Sequence, residues 1–512
     1  AEGRKTTVDY DARGNIKASY DGFGRKVSDI KYDAASNPVE VTDALGYKTI
    51  NHYDEMNRLV WSINALNQKK SRAYDSRGYL AKVTDTPSVG SSQPVITSGE
   101  YNAKGQIKCI VDPEGNAQYY DYDNLGRLVK ETTPAGSVIS YGYNALNQLE
   151  TKVNGRNQKT SYQYDAAGRL KVLIDEVDHT EYKYDANGNL TDVIGQNAGH
   201  IYREYDALNR VKSYTDASGN KIVYEYDEVG NLTGLIYPNG KKIEYRYDRS
   251  GLLKKVIDFD GGVTEYFYDA NRKIEKIIYA NGITLDAVYD EAGQLKSKVE
   301  KDKKGKIVTS YSYQYDAEGN IKEEIQQSGT PQLTSGTITM EYGKGNKLIK
   351  FNGQDVTYDA DGNMTYGPLG GKMVNFTYDE RNRLIKACGT TYLYDAENNR
   401  VGKIENGVKT SYVINTNAQL TEVLQEKKGS TVRSYVYGLG LIMHVEGGEY
   451  ATYHFDNRGS TVAITNSKGA VTDTFTYGPY GEQAGRTGKT YTPFLFNGKY
   501  GVQTDANGLY YM

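Results

Sequence analysis

Polar and apolar positions alternate with a period of two along most of the chain. The runs are short and are divided by glycine, asparagine and aspartate. "EYKYDANGNL" at 181–190 is typical. Tyr182 and Tyr184 alternate with Glu181 and Lys183, so both rings fall on one face of a predicted strand and the charges on the other. Asp185 opens a turn, its carboxylate placed to accept a backbone N–H two residues on. Gly188 then occupies the position where a hairpin loop needs positive φ. Leu190 starts the next strand. Close variants stand at 161–170, 223–232, 244–253 and 312–321.

The unit repeats with a fixed step. Apart from Tyr120-Asp121, Tyr-Asp pairs occur 17 times, and Tyr-Asn replaces them at Tyr101 and Tyr143. From Tyr101 to Tyr289 the step is 21 residues, with one of 20 between Tyr164 and Tyr184. A step of 27 from Tyr74 to Tyr101 and one of 26 from Tyr289 to Tyr315 mark insertions, and loops are expected near 85–99 and 326–340. Three positions after the 17 aspartates stand 11 glycines and 4 asparagines, Asn57, Asn209, Asn382 and Asn398; only Ser36 and Arg272 differ. Glycine and asparagine best tolerate the left-handed region, which predicts one turn geometry throughout. A second, looser turn is expected about ten residues later, as at "ASGN" 217–220 and "PNG" 238–240. Two turns per repeat predict an antiparallel meander, with no helix-period stretch.

About 20 such repeats would supply about 40 strands. A flat sheet of that size would be about 190 Å wide at about 4.8 Å per strand, whereas open sheets curl or split beyond about 10 strands. The prediction is an all-β spiralling antiparallel sheet forming a hollow shell or barrel. A propeller would need a four-strand period, and alternate repeats carry no distinguishing mark.

Composition sharpens this picture. The chain has 49 Tyr against 9 Phe and 1 Trp. A thin wall with water on both faces suits tyrosine, whose ring packs across strands while its hydroxyl stays solvated. Net charge is −3 with both signs interspersed, so no basic stripe points to nucleic acid. No apolar run approaches the length of a membrane span. The chain enters a repeat almost at once and reads as a piece of a longer protein.

The repeated "YDxxGN/RL" resembles the YD repeats of rearrangement-hotspot (Rhs) proteins, of the C components of insecticidal toxin complexes, of bacterial wall-associated repeat proteins and of teneurins. The likeness covers about 8–415. From 431 onward, "YHFDNRGSTVAITNSKGAVTDTFTYGPYGE" at 453–482 and "PFLFNGKYGVQTDANGLYYM" at 493–512 resemble the Rhs core segment, favouring the bacterial toxin branch. The resemblance implies a YD-repeat β-shell over 1–430 and a closing segment over 431–512 that stops before the family's self-cleavage motif. It implies a secreted or cell-surface bacterial shell that encloses and helps deliver a C-terminal toxin domain. A capping or delivery protein would be a further partner. The alternative is a teneurin-like adhesion or glycan-binding module.

The residues themselves suggest no enzyme. No catalytic, cofactor-binding or metal residue is assigned. The Asp of each pair is explained by turn chemistry rather than a calcium array, and glycine stretches such as "GQNAG" lack the GK[ST] of a phosphate loop. His52, His179, His200, His444 and His454 show no metal-ligand spacing, and Trp61 reads as packing. Cys109 and Cys388 fit no CxxC pattern and read as structural thiols. Scattered carboxylates leave a glycosidase-like pair open but do not point to one.

Overall fold

Alternating side chains and a turn every ten residues produce an almost purely β molecule. The computed structural model describes residues 5–86, 94–326, 337–478 and 480–511. The first 30 strands, Thr7–Tyr10 through Ile321–Gln326, form one antiparallel sheet. Each strand pairs with its neighbour in the chain, as Lys159–Tyr164, Leu170–Ile174, His179–Tyr184 and Leu190–Gly195 do in turn. A three-stranded sheet (Met340–Tyr342 to Gln354–Asp355) follows, then a 14-stranded meander from Thr357–Tyr358 to Gln483–Thr487 and a final two-stranded pair. The strands cross residue 431 without interruption, Glu422–Lys428 pairing with Thr431–Gly438. Among the described residues, helix is limited to two short 3-10 turns, and none is long and apolar enough to cross a membrane.

The turns follow the expected chemistry. In the Asp185 turn, Gly188 N–H donates to the Asp185 carbonyl at 3.1 Å and Asp185 N–H to the Asn189 carbonyl at 3.0 Å. The Asp185 carboxylate accepts from Asn189 N–H at 2.8 Å. Gly188 has φ +89°, and Asn57, Asn209, Asn382 and Asn398 also have positive φ. Ser36 (67°) and Arg272 (65°) take the same left-handed conformation without the residue type that favours it. Ser36→Gly and Arg272→Gly should therefore each stabilise the fold by about 1 kcal/mol. A rise in the denaturant midpoint of both variants is the expected readout; a fall would show that side-chain contacts outweigh the backbone strain.

Two expectations need correction. Most second turns are not looser, although Asp175–Asp178 closes one residue tighter, with Asp175 N–H donating to Asp178 O at 3.2 Å. Gly219 N–H donates to Asp216 O and Asp216 N–H to Asn220 O, the same pattern; Tyr237 and Tyr279 open identical turns without an Asp side chain. Backbone geometry is kept by the positive-φ glycine, so the first position is free to vary. The insertion expected in the 26-residue step after Tyr289 takes the form of a longer hairpin, Leu295–Lys301 with Ile307–Tyr315. Of the expected loops, 87–93 and 327–336 lie outside the described residues. Finally, the wall is thin only in the first half. A large apolar core lies between strands from Val193 to Leu285 and strands from Tyr412 to Phe475.

The sheet winds, and its windings stack turn on turn. Gly22 N–H donates to Asn271 Oδ1 at 2.6 Å, 249 residues on, and Ala65 N–H to Glu318 Oε1 at 2.8 Å, 253 residues on. Further along the separation is 206 for Gly155 with Asp361 and for Arg381 with Asp175. It is 198 for Tyr237 with Tyr435, 184 for Asn281 with Thr465 and 157 for Lys298 with Phe455. From 249 and 253 residues at the first contacts the separation falls to 157 at the last, so the spiral tapers toward the C-terminal end.

Candidate functional site

The repeating element of the wall is a tyrosine clamp. The short ladder between Leu170–Ile174 and His179–Tyr184 has three pairs and ends at Val172 with Glu181. Beyond it the Tyr184 hydroxyl reaches across and donates to the Leu170 carbonyl at 2.8 Å. Tyr164 does the same to Leu149, Tyr205 to Leu190, Tyr226 to Val211 and Tyr247 to Leu232, at 2.8–2.9 Å. These hydroxyls are not merely solvated, as the composition suggested. They satisfy carbonyls that the splayed ladder leaves open, a task phenylalanine cannot perform. Tyr184→Phe and Tyr247→Phe should each cost about 1 kcal/mol, read as a lower denaturant midpoint; unchanged midpoints would leave the hydroxyl without a structural role.

The Arg or Asn just after the turn glycine links repeats as well. Arg169 Nε donates to Asp165 Oδ2 at 2.7 Å while its guanidinium lies 4.5 Å from the Tyr184 ring centre. Arg127 with Tyr143 and Arg210 with Tyr226 repeat this at 4.8 and 4.7 Å. Where Asn stands instead, its amide reaches the next turn: Asn189 Nδ2 donates to Asp185 Oδ2 and to Asn209 Oδ1.

At the narrow end the wall becomes three layers. Strands Thr431–Gly438, Gly440–Glu446, Glu449–Phe455 and Thr461–Asn466 are buried on both faces. One face packs on the first sheet, where the Tyr237 hydroxyl donates to the Tyr435 carbonyl at 2.5 Å. The segment from Tyr491 onward covers the other, with Phe494 edge-on to the Tyr435 ring at 4.8 Å.

Charged and polar side chains lock these layers. Glu426 accepts from Arg433 at 3.2 Å, the Tyr435 hydroxyl at 3.0 Å and the Tyr491 hydroxyl at 3.1 Å. Asp505 accepts from Arg400 Nη1 at 2.6 Å and Lys403 Nζ at 3.0 Å, all three buried, while Arg400 lies 4.1 Å from the Tyr511 ring centre. Arg400 also donates to Gln503.

The histidines take structural places. His444 Nδ1 lies 2.7 Å from the Tyr453 hydroxyl, and burial, aided by Arg433, holds its imidazole well below its ordinary value, at about 3. His454 Nε2 meets Thr465 Oγ1 at 2.8 Å. Its Nδ1 lies 3.1 Å from Glu300 Oε2, not aligned as a hydrogen bond. Burial pushes the Glu300 carboxyl up, but the His454 charge and hydrogen bonds outweigh it and hold the group at about 2. His52 stacks on Trp61, His179 approaches Glu181 at 4.0 Å and His200 pairs with Asp192 at 2.8 Å. Cys109 is buried, Cys388 exposed, and both are free. Among the described residues no three His, Cys, Asp or Glu side chains gather as a ligand set. The sequence reading missed Glu300, Arg400 and Asp505, because each finds its partner on a strand more than a hundred residues away.

Comparison with known proteins agrees with this architecture. The crystal structure of TcdB2-TccC3 has a TM-score of 0.75 and that of TcdB2-TccC3-Cdc42 one of 0.73. The Photorhabdus luminescens Tc holotoxin pore has 0.66. Each is 14% identical and covers 99% of this chain, which spans about a third of theirs (36, 36 and 35%), so the likeness is one of fold. The tRNA3(Ser)-specific nuclease WapA of Bacillus spizizenii is 25% identical over 182 residues, 34% of this chain and 8% of that protein. The family described as Teneurin YD-shell matches residues 2–147, 144–273 and 289–499. With its clamped repeats, stacked windings and matches across most of its length, the chain belongs to the teneurin YD-shell family.

Proposed function

We propose that this chain is the structural shell of a bacterial Rhs-type polymorphic toxin, which encloses and helps deliver a toxin domain following it in the polypeptide. Residues 1–430 serve as the wound wall and 431–512 as the closing segment. The observation that supports this best is the shortening series of stacked windings, which ends in strands buried on both faces. Such a taper closes one end of a wound wall. The chain itself acts as a container, without catalytic, metal or cofactor residues, and works outside the producing cell or at its surface.

A capping or delivery partner is supported by the turn tips of the first winding. Met56, Leu125, Leu146, Leu208 and Val229 stand 65–84% exposed there, on the rim opposite the one that receives the next winding. An adhesion or glycan-binding role would use the same rim, and saturable binding of residues 1–512 to a glycan array would favour it. The enclosing role is tested by expressing the chain with its native downstream sequence and adding protease. The downstream domain should resist digestion far longer than the same domain alone; equal rates would refute enclosure.

A further inference from the structure

A cavity of about 370 Å³ lies where the first sheet meets the second, between strands Lys221–Tyr226, Leu232–Ile236 and Lys242–Tyr247 and the chain around Asn415–Glu422 and Tyr437–Leu439. Its lining combines aromatic side chains with a single carboxylate. Tyr224, Tyr245, Tyr247, Tyr268 and Tyr437 surround it, and one carboxylate, Glu422, sits among them. Glu422 accepts from Asn415 Nδ2 at 2.9 Å, and Asn415 in turn accepts from the Tyr224 hydroxyl at 2.8 Å. Among the described residues no Lys, Arg or His makes an ion pair with Glu422. The contrast with Glu426, four positions on, is sharp, since that carboxylate holds Arg433.

The titratable groups facing Glu422 from the packed elements are all tyrosines: Tyr224, Tyr237, Tyr245 and Tyr437. Burial, opposed only by the Asn415 hydrogen bond, pushes the Glu422 carboxyl up to about 7. Its folded value lies above its unfolded one, so it favours the fold in acid. That contribution is lost as pH rises from about 4.5 through about 7. Above that range the cavity holds a negative charge with no cation paired to it, among tyrosine side chains. Carboxylate and aromatic faces both attract an organic cation, and neither attracts an anion.

We propose that this cavity is a binding site for a primary alkylammonium group, held by the Glu422 carboxylate and the surrounding tyrosine rings. The same group could come from a free aliphatic amine or from the lysine side chain of a polypeptide. The site stands independently of the enclosing role.

Calorimetric titration of residues 1–512 with n-butylammonium chloride tests it, beside a lysine blocked at both its amino and carboxyl ends. At pH 8.5 saturable binding is expected for at least one probe. Equal binding of both makes a polypeptide the source; binding of butylammonium alone makes it a free amine. At pH 5.5, with Glu422 protonated, affinity should fall at least tenfold. Glu422→Gln should lose at least tenfold at pH 8.5 while its thermal midpoint there holds or rises, because an unpaired, half-buried charge has gone. Tyr245→Leu, which keeps the carboxylate, should lose several-fold. No saturable binding of either probe, or equal binding by wild type and Glu422→Gln, would overturn the proposal.

Discussion

The Asp505→Ala variant is expected to lose about 3–5 kcal/mol of stability. Asp505 is the shared acceptor of two buried cations, Arg400 and Lys403. Removing it leaves the Arg400 guanidinium with only Gln503 and aromatic faces around it. Lys403 keeps Glu405 at 3.0 Å, so the larger share of the loss falls on Arg400. Guanidinium denaturation measures the loss. The double variant Asp505→Leu/Arg400→Met should recover most of it, because the orphaned charge is then gone as well. A loss below about 1 kcal/mol in the single variant would show that the C-terminal strand pair does not hold the narrow end together.

Acid should weaken the wild type through His444. Its folded value is about 3 against an ordinary 6.5, so the folded state refuses a proton that the unfolded chain accepts. Stability is fully present above pH 6.5 and is lost as pH falls toward 3. Between pH 7 and 4 the loss from this residue should be about 3 kcal/mol. His444→Gln can still hydrogen-bond the Tyr453 hydroxyl but does not titrate. The gap in denaturant midpoint between wild type and variant should therefore move against the wild type by that amount over this range. Glu422 acts in the opposite sense, but it is common to both proteins and cancels. Glu300 loses its contribution only below about 4.5. A gap independent of pH would mean that His444 is reached by water.

The sequence revealed more of the wall than of its closure, and the reason is distance along the chain. Gly188 and Asn209 betray their turns because positive φ selects residue type locally. Tyr182 and Tyr184 betray the buried face because strand alternation is local too. The destination of the Tyr184 hydroxyl was hidden, since Leu170 lies across a strand pair whose ladder ends early. The turns at Tyr237 and Tyr279 were hidden for another reason: glycine carries the geometry, leaving the opening residue unconstrained. Contacts such as Gly22 with Asn271 depend on how many strands complete a winding. That number follows from sheet twist summed over the whole wall, which no single repeat encodes. The core between Val193–Leu285 and Tyr412–Phe475 has the same origin.

The tyrosine clamp also gives the chain a direction of assembly. Among the described residues each clamp hydroxyl reaches back, to a carbonyl 10 to 21 residues earlier and most often 15, as Tyr205 does to Leu190. A repeat emerging from the ribosome thus finds its acceptor already made, and the wall grows by local steps with low entropic cost. Stacking of one winding on another waits until about 200 further residues have been added. Wall growth and closure are therefore separate kinetic events. In the interval between them the face of strands such as Lys242–Tyr247 that will pack on the strands from Tyr412 to Phe475 is still open.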